Sequence, residues 1–355
     1  MLETLRTLSL AMRYSFAFCW RNSRNYTIVR LIISAINTSF LFLGIKTTGL
    51  IVNAVQDSML KSSRGSHTTL ELATSELIKP IVFLGLVMFF GMVVGRLNWY
   101  FRSQWNHKLR FANQREINDH RGRLDVARFR SKEYDDLSKR IAELPSSWQT
   151  RIFFSEELLQ FFTTLISFFI FGASLLGFGP LYVVALLVSS LPMVLLEFKL
   201  VNMWWNLFQD LVPHHKERGV LEKPYHNTNA FVQALMFRQL PSLRKEIEKN
   251  TGEVLDRYSV IRKKNLWAEI FSQTFSILGL CAVIAYAVWH TVRFNGAIGT
   301  LTVLIAAAKT FQANLETIVS LIAEQWNSAK GVILIEKDFL GLLPVLKTVD
   351  PVEPT

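Results

Sequence analysis

The 355-residue chain is half hydrophobic, yet 19% of it is charged, with a formal net charge of +11. Long uncharged apolar runs alternate with strongly basic intervals, which excludes a soluble helical protein and indicates a polytopic membrane protein. Basic residues gathered between such runs follow the positive-inside rule, and no clustered aromatic-basic motif points to nucleic acid.

Residues 1–25 predict an amphipathic elbow helix: Leu2, Leu5, Met12 and Phe16 recur at helical spacing, while Arg6 and Arg13 make it too polar to span. Six spans follow, at about 26–55, 78–100, 148–177, 179–207, 267–294 and 301–326. Between the first two, Gln56 to Glu76 reads as a polar outer loop. Gly177-Phe178-Gly179-Pro180 and Asn295-Gly296 give tight outer turns between spans three and four and between five and six. Two long intervals, Phe101 to Thr150 and Phe208 to Lys264, read as helical arms protruding tens of Å, the first an unbroken continuation of span two. A tail, 341–355, closes the chain.

Charge sets the orientation. Residues 101–150 carry 11 Lys and Arg and residues 208–265 carry another 11, against three between Gln56 and Lys79. The arms and both termini are therefore expected in the cytoplasm of a cell with a plasma or inner membrane.

The sharpest internal signal lies in span six. Lys309, Gln312, Glu316, Ser320 and Glu324 share one helix face. Ionisable groups at membrane depth are costly unless they face a cavity or a partner, so this stripe is a candidate substrate pathway. Asn37, on a weaker stripe of span one with Arg30, Ser34 and Thr48, is a candidate lining residue. The bland alternative for both is hydrogen bonding between helices. Pro192 is expected to kink span four and Pro213 to bend the second arm. His214-His215 is the best metal candidate and a poor one: adjacent helical residues diverge by about 100°, and no Cys or carboxylate cluster joins them. Cys19 and Cys281 form neither a disulfide framework nor a metal site. No metal site is expected.

Several short motifs, weak singly, occur in a telling order. Leu124-Asp125-Val126-Ala127-Arg128-Phe129 followed by Glu133-Tyr134-Asp135-Asp136-Leu137 resembles the first intracellular loop of ATP-binding cassette exporters. Thr47 to Gln56 is similar to the end of their first span. Ala230 to Phe237 stands where relatives carry a second-loop segment, although its usual Lys, Glu and Arg are absent. Gly299-Thr300-Leu301-Thr302 resembles their entry into span six.

The resemblance implies an all-α transmembrane domain over 26–340, working as a homo- or heterodimer in the bilayer. It implies that each arm ends in a short coupling helix, near Ser131, Tyr134 and Leu137 in the first and near Tyr225, Asn227 and Phe231 in the second, that docks on an ATPase domain. No G-x-x-x-x-G-K-[ST] phosphate loop occurs in these residues, so ATP and magnesium are expected on a partner domain and no cofactor or catalytic residue on this chain. Two alternatives stay open: a proton-coupled carrier with the same fold, with Glu316 and Glu324 carrying protons, and a non-transporting scaffold.

Overall fold

A computed structural model describes residues 2–63, 69–142, 144, 146–294 and 296–344. The middle of the expected outer loop and the tail from residue 345 lie outside them. Among the described residues nine α-helices follow one another: α1 (Leu2–Ser63), α2 (Thr69–Arg123), α3 (Val126–Phe129), α4 (Lys132–Ala142), α5 (Thr150–Phe178), α6 (Pro180–His226), α7 (Thr228–Met236), α8 (Leu240–Arg293) and α9 (Ile298–Ile333). A 3-10 turn precedes α5, and a π-helical turn, Leu334–Phe339, follows α9. Among the described residues there is no strand.

Among the described residues five helical stretches are long and apolar enough to cross a bilayer: Arg6–Leu60, Ile78–Arg123, Ser147–Phe178, Pro180–Glu197 and Leu240–Arg293. The sixth expected span falls in α9. That helix is 36 residues long, but Lys309, Gln312, Asn314 and Glu316 dilute its apolar length, and it is not among the five. Much of the apolar surface faces outward; Ile81, Phe83, Met88, Phe89 and Met92 of α2 are all more exposed than buried or nearly so. Water does not tolerate such a continuous apolar exterior, and a hydrocarbon solvent does. The chain is an all-α membrane protein.

Helices run further than composition indicates. α1 continues through Gln56 to Ser63, and α2 begins at Thr69, so most of the expected outer loop is helical. Ala, Leu and Glu dominate Leu70 to Leu77 and favour helix despite their polarity. The one interruption in α1 is Ser23, at φ −152° and ψ 39°. α6 stays helical through Pro192, Pro213 and Pro224. The first arm corrects an expectation in the other direction: it is not one helix to Ala142. The chain breaks after Arg123, forms the single turn α3, and breaks again before α4. The side chain of Asp125 accepts the Arg128 N–H at 2.9 Å, and Ser131 Oγ accepts the Tyr134 N–H at 3.2 Å. These two caps stop and restart the helix without a proline.

The chain forms two compact units. The larger comprises Met1–Val188 and Gly279–Thr355. In it α1 and α5 run one way and α2 and α9 the other. The pairings Arg21–Glu116, Ser34–Asn98 and Phe40–Phe90 fix α1 antiparallel to α2. Asn314 against Ser167 and Phe311 against Phe168 do the same for α9 and α5. A Cβ on Gly172 would come within 3.1 Å of the Phe311 ring, so glycine sets that close approach.

The smaller unit, Ser189–Leu278, is an antiparallel helical hairpin from α6 and α8 with α7 between them. Leu207 and Leu211 pack on Val254, and Tyr258 and Ile261 close the seam. Further along, Asn250 Nδ2 donates to Glu217 at 3.0 Å.

Candidate functional site

The polar stripe on α9 is partly sealed. Lys309 is exposed, Gln312 is 5% exposed, and Glu316 and Ser320 are half-buried. Gln312 Nε2 donates to Glu316 Oε1 at 3.4 Å, and Ser320 Oγ to Glu324 Oε1 at 3.5 Å. Neighbouring polar groups four residues apart thus satisfy one another along the helix. Asn314 is a polar residue of α9 that spacing did not select: its side chain donates to Ser167 of α5 at 2.8 Å. It lies off the stripe, so only tertiary packing reveals it.

Asn37 lies elsewhere. It lines a mostly apolar groove of about 440 Å³ between α1 and α2, with Phe40, Gly44, Thr48, Val87 and Gly91. Among the described residues it makes no hydrogen bond to the α9 stripe. The two sets of candidate pathway residues therefore do not form one cluster.

At the opposite end from the turn between α8 and α9, the larger unit holds two charge networks. In the first, Arg151 is 1% exposed at the start of α5. It donates to Glu116 of α2 at 2.9 Å and reaches Glu336 of the π-helical turn at 2.5 Å. Its guanidinium also lies 4.1 Å from the centre of the Phe18 ring, and Glu116 in turn pairs with Arg21 at 2.5 Å. Four segments, far apart in sequence, meet on one cation. Burial pushes the Glu336 carboxyl above its ordinary range, and the Arg151 charge opposes that rise.

The second network centres on Glu156, which takes Arg102 and Asn106 of α2 and faces Arg30 at 4.0 Å. Arg30 is buried. It is 8% exposed, with its guanidinium 4.7 Å from the Trp105 ring centre. Trp105 is itself buried and donates to Thr27 Oγ1 at 2.9 Å.

The expected docking residues divide. Tyr134 and Leu137 turn inward, packing on a buried cluster of Ile117, Leu124, Ile141, Ile335 and Phe339. The Tyr134 ring meets Phe129 at 4.9 Å and Phe339 at 6.0 Å between centres. Tyr134, expected beside a docking segment, packs within its own unit because the helix break folds α4 back onto the π-helical turn. Ser131 and Asn227 are caps: Asn227 Oδ1 accepts the N–H groups of Asn229 and Ala230. In the smaller unit the apolar surface is open. Phe231, Val232, Leu235, Met236 and Phe237 on and just after α7 are all exposed. Tyr225 stands beside Phe231, 6.3 Å between ring centres, and its hydroxyl donates to the Leu240 carbonyl at 3.3 Å.

Among the described residues no group of three or more His, Cys, Asp or Glu forms a metal cluster. His214 faces Glu253 at 4.0 Å, Cys19 is buried and Cys281 is exposed, both as free thiols. A comparison with protein-family models and with curated proteins finds none that matches this chain.

Proposed function

We propose that the chain is the membrane-spanning half of an exporter of the ATP-binding cassette type, with six spans, a dimeric assembly and cytoplasmic arms. The observation that carries this reading is the tip of the smaller unit. A capped nine-residue helix and the residue that follows it present five neighbouring apolar side chains between the two legs of a helical hairpin rich in Lys and Arg. Charged legs belong in water, and an apolar tip at their end is costly there unless a partner covers it. An ATPase domain is the partner that the sequence resemblance supplies. Tyr225, braced against Phe231, gives the tip an aromatic anchor of the kind that dominates protein interfaces.

On this reading α9 lines the path. Its polar face tolerates a wet cavity, and closure of the ATPase pair would shift the spans between two arrangements. ATP and magnesium would bind the partner domain. Purification of the chain in mild detergent, with the co-eluting proteins identified and ATP hydrolysis measured, tests the proposal. A stoichiometric ATPase lost on Phe231→Ala supports it. A homodimer without ATPase that moves solute down a proton gradient would replace it with the carrier reading.

A further inference from the structure

We propose that the small polar pocket where α1, α2 and α5 meet, at the end of the spans from which α2 continues into the first arm, binds the phosphate group of a membrane phospholipid. The pocket holds about 210 Å³, and Arg30, Ser34, Asn98, Arg102, Gln160 and Thr163 line it. That is smaller than a site enclosing a whole small molecule. It suits a single charged group whose remainder lies outside.

Two cations meet there against one carboxylate. Glu156 is held closely by Arg102 and stands 4.0 Å from Arg30. Among the described residues no other carboxylate pairs with either arginine. Arg30 is nearly enclosed, and its Nη1 has no hydrogen-bond partner among the described residues. A buried guanidinium with an unused donor and a shared, distant counter-charge is costly, and a second anion relieves that cost. Guanidinium groups match phosphate oxygens through paired N–H donors. Asn98, which accepts from Ser34 Oγ at 3.5 Å, keeps its amide N–H donors, and the exposed Gln160 adds its own.

Depth selects a lipid as the source. The uncharged run of α2 ends at Gly95, and Asn98 and Arg102 stand three and seven residues further on, about 4.5 and 10.5 Å along the helix. A headgroup layer about 5–8 Å thick reaches Asn98, and the long Arg102 side chain covers the few Å that remain. On α1, Arg30 is the last charge before the uncharged stretch from Leu31 to Ile45. Trp99 and Tyr100 of α2 are exposed at the same level, and such rings gather where hydrocarbon meets water. The exposed Ile32 and Ile36 of α1 offer the acyl chains an apolar surface beside the pocket. This inference needs the chain to sit in a bilayer and is independent of the transport reading.

The test is binding to the purified full chain in neutral detergent, with dioctanoyl phosphatidic acid, dioctanoylglycerol and inorganic phosphate as probes. Phosphatidic acid is expected to bind, and to bind more weakly as salt rises. Gln160→Glu sets a carboxylate beside the arginines and leaves their existing ion pairs in place. It is expected to weaken phosphatidic acid binding about tenfold, a loss of about 1.4 kcal/mol. Gln160→Lys is expected to bind at least as tightly as the parent, and equal melting temperatures of the two variants separate charge from folding. Inorganic phosphate binding as tightly, with the same sensitivity to the two variants, would keep the anion site and overturn its lipid source. Dioctanoylglycerol binding as tightly as phosphatidic acid, equal phosphatidic acid binding by the two variants, or no binding of phosphatidic acid would overturn the site.

Discussion

Arg151 and Glu336 form an ion pair at 2.5 Å that joins the first turn of α5 to the π-helical turn after α9, with Arg151 almost fully enclosed. Glu116 and the Phe18 ring complete its surroundings. Removing the cation leaves two mostly buried carboxylates facing each other. Arg151→Met is expected to cost about 3–5 kcal/mol, the range for a broken buried pair. Arg151→Lys is expected to recover little, because one ammonium cannot reproduce the planar fork or lie flat on the ring. Thermal unfolding in detergent, with proteolysis after residue 333 as a local readout, checks both.

The same pair gives a pH dependence whose sign burial decides. Glu336 is held above its ordinary value by desolvation, so the packed turn retains a proton that the released turn gives up. Ionisation at neutral pH therefore weakens packing. Protection of residues 334–342 is expected to rise as pH falls through the raised value and to level off below roughly 4.3, the ordinary glutamate value. Hydrogen exchange corrected for the intrinsic chemical rate measures this. Glu336→Gln should flatten the curve, and protection that falls on acidification would show that the pairing with Arg151 outweighs desolvation.

At the other end of α1, Asn53 and Gln56 accept the N–H groups of Gly299 and Ile298 at 2.7 and 2.8 Å, capping α9 from a neighbouring helix. Gly49 and Gly299 allow that contact: a Cβ on Gly299 would sit 1.9 Å from the Gly49 carbonyl oxygen. Gly299→Ala is expected to destabilise by about 1–3 kcal/mol through overpacking. Asn53→Ala is expected to cost about 0.5–2 kcal/mol as a lost cap. Gly85→Ala, where a Cβ meets nothing within 4 Å, is the control and should be neutral or mildly stabilising. Melting temperatures of the three variants decide.

Phe231 and Tyr134 separate docking from folding. Phe231→Ala removes an exposed ring and should leave the melting temperature unchanged while abolishing co-purification of a partner. Tyr134→Ala removes a ring from the Phe339 cluster and should lower stability by about 1–3 kcal/mol. Equal effects of the two on partner retention, at unchanged stability, would show that both tips dock.

Much of the fold was legible because hydrophobic period and length are written locally. The long apolar helices needed no tertiary information. The break in the first arm was not legible from proline or glycine, because Asp125 and Ser131 make it with side-chain caps in a polar stretch that reads as continuous helix. Arg30 and Arg151 show the deeper limit. Both sit at the edge of an apolar run, where an arginine ordinarily reaches water, and only the arrival of Glu156 in one case and of Glu116 and Glu336 in the other lets them be buried. Lys309 to Ser320 were visible as a face, but a face does not disclose what lies opposite.

α2 has one further consequence. Its 55 residues amount to about 80 Å of helix, continuous through Pro80 as far as Arg123. Tilting that length as one piece by about 5° about its midpoint sweeps each end through about 3.5 Å. Small rotations within the bilayer are thereby read out as displacements of a full atomic layer at the basic end, where the Glu116 network fastens α1, α5 and the segment after α9 to the same shaft.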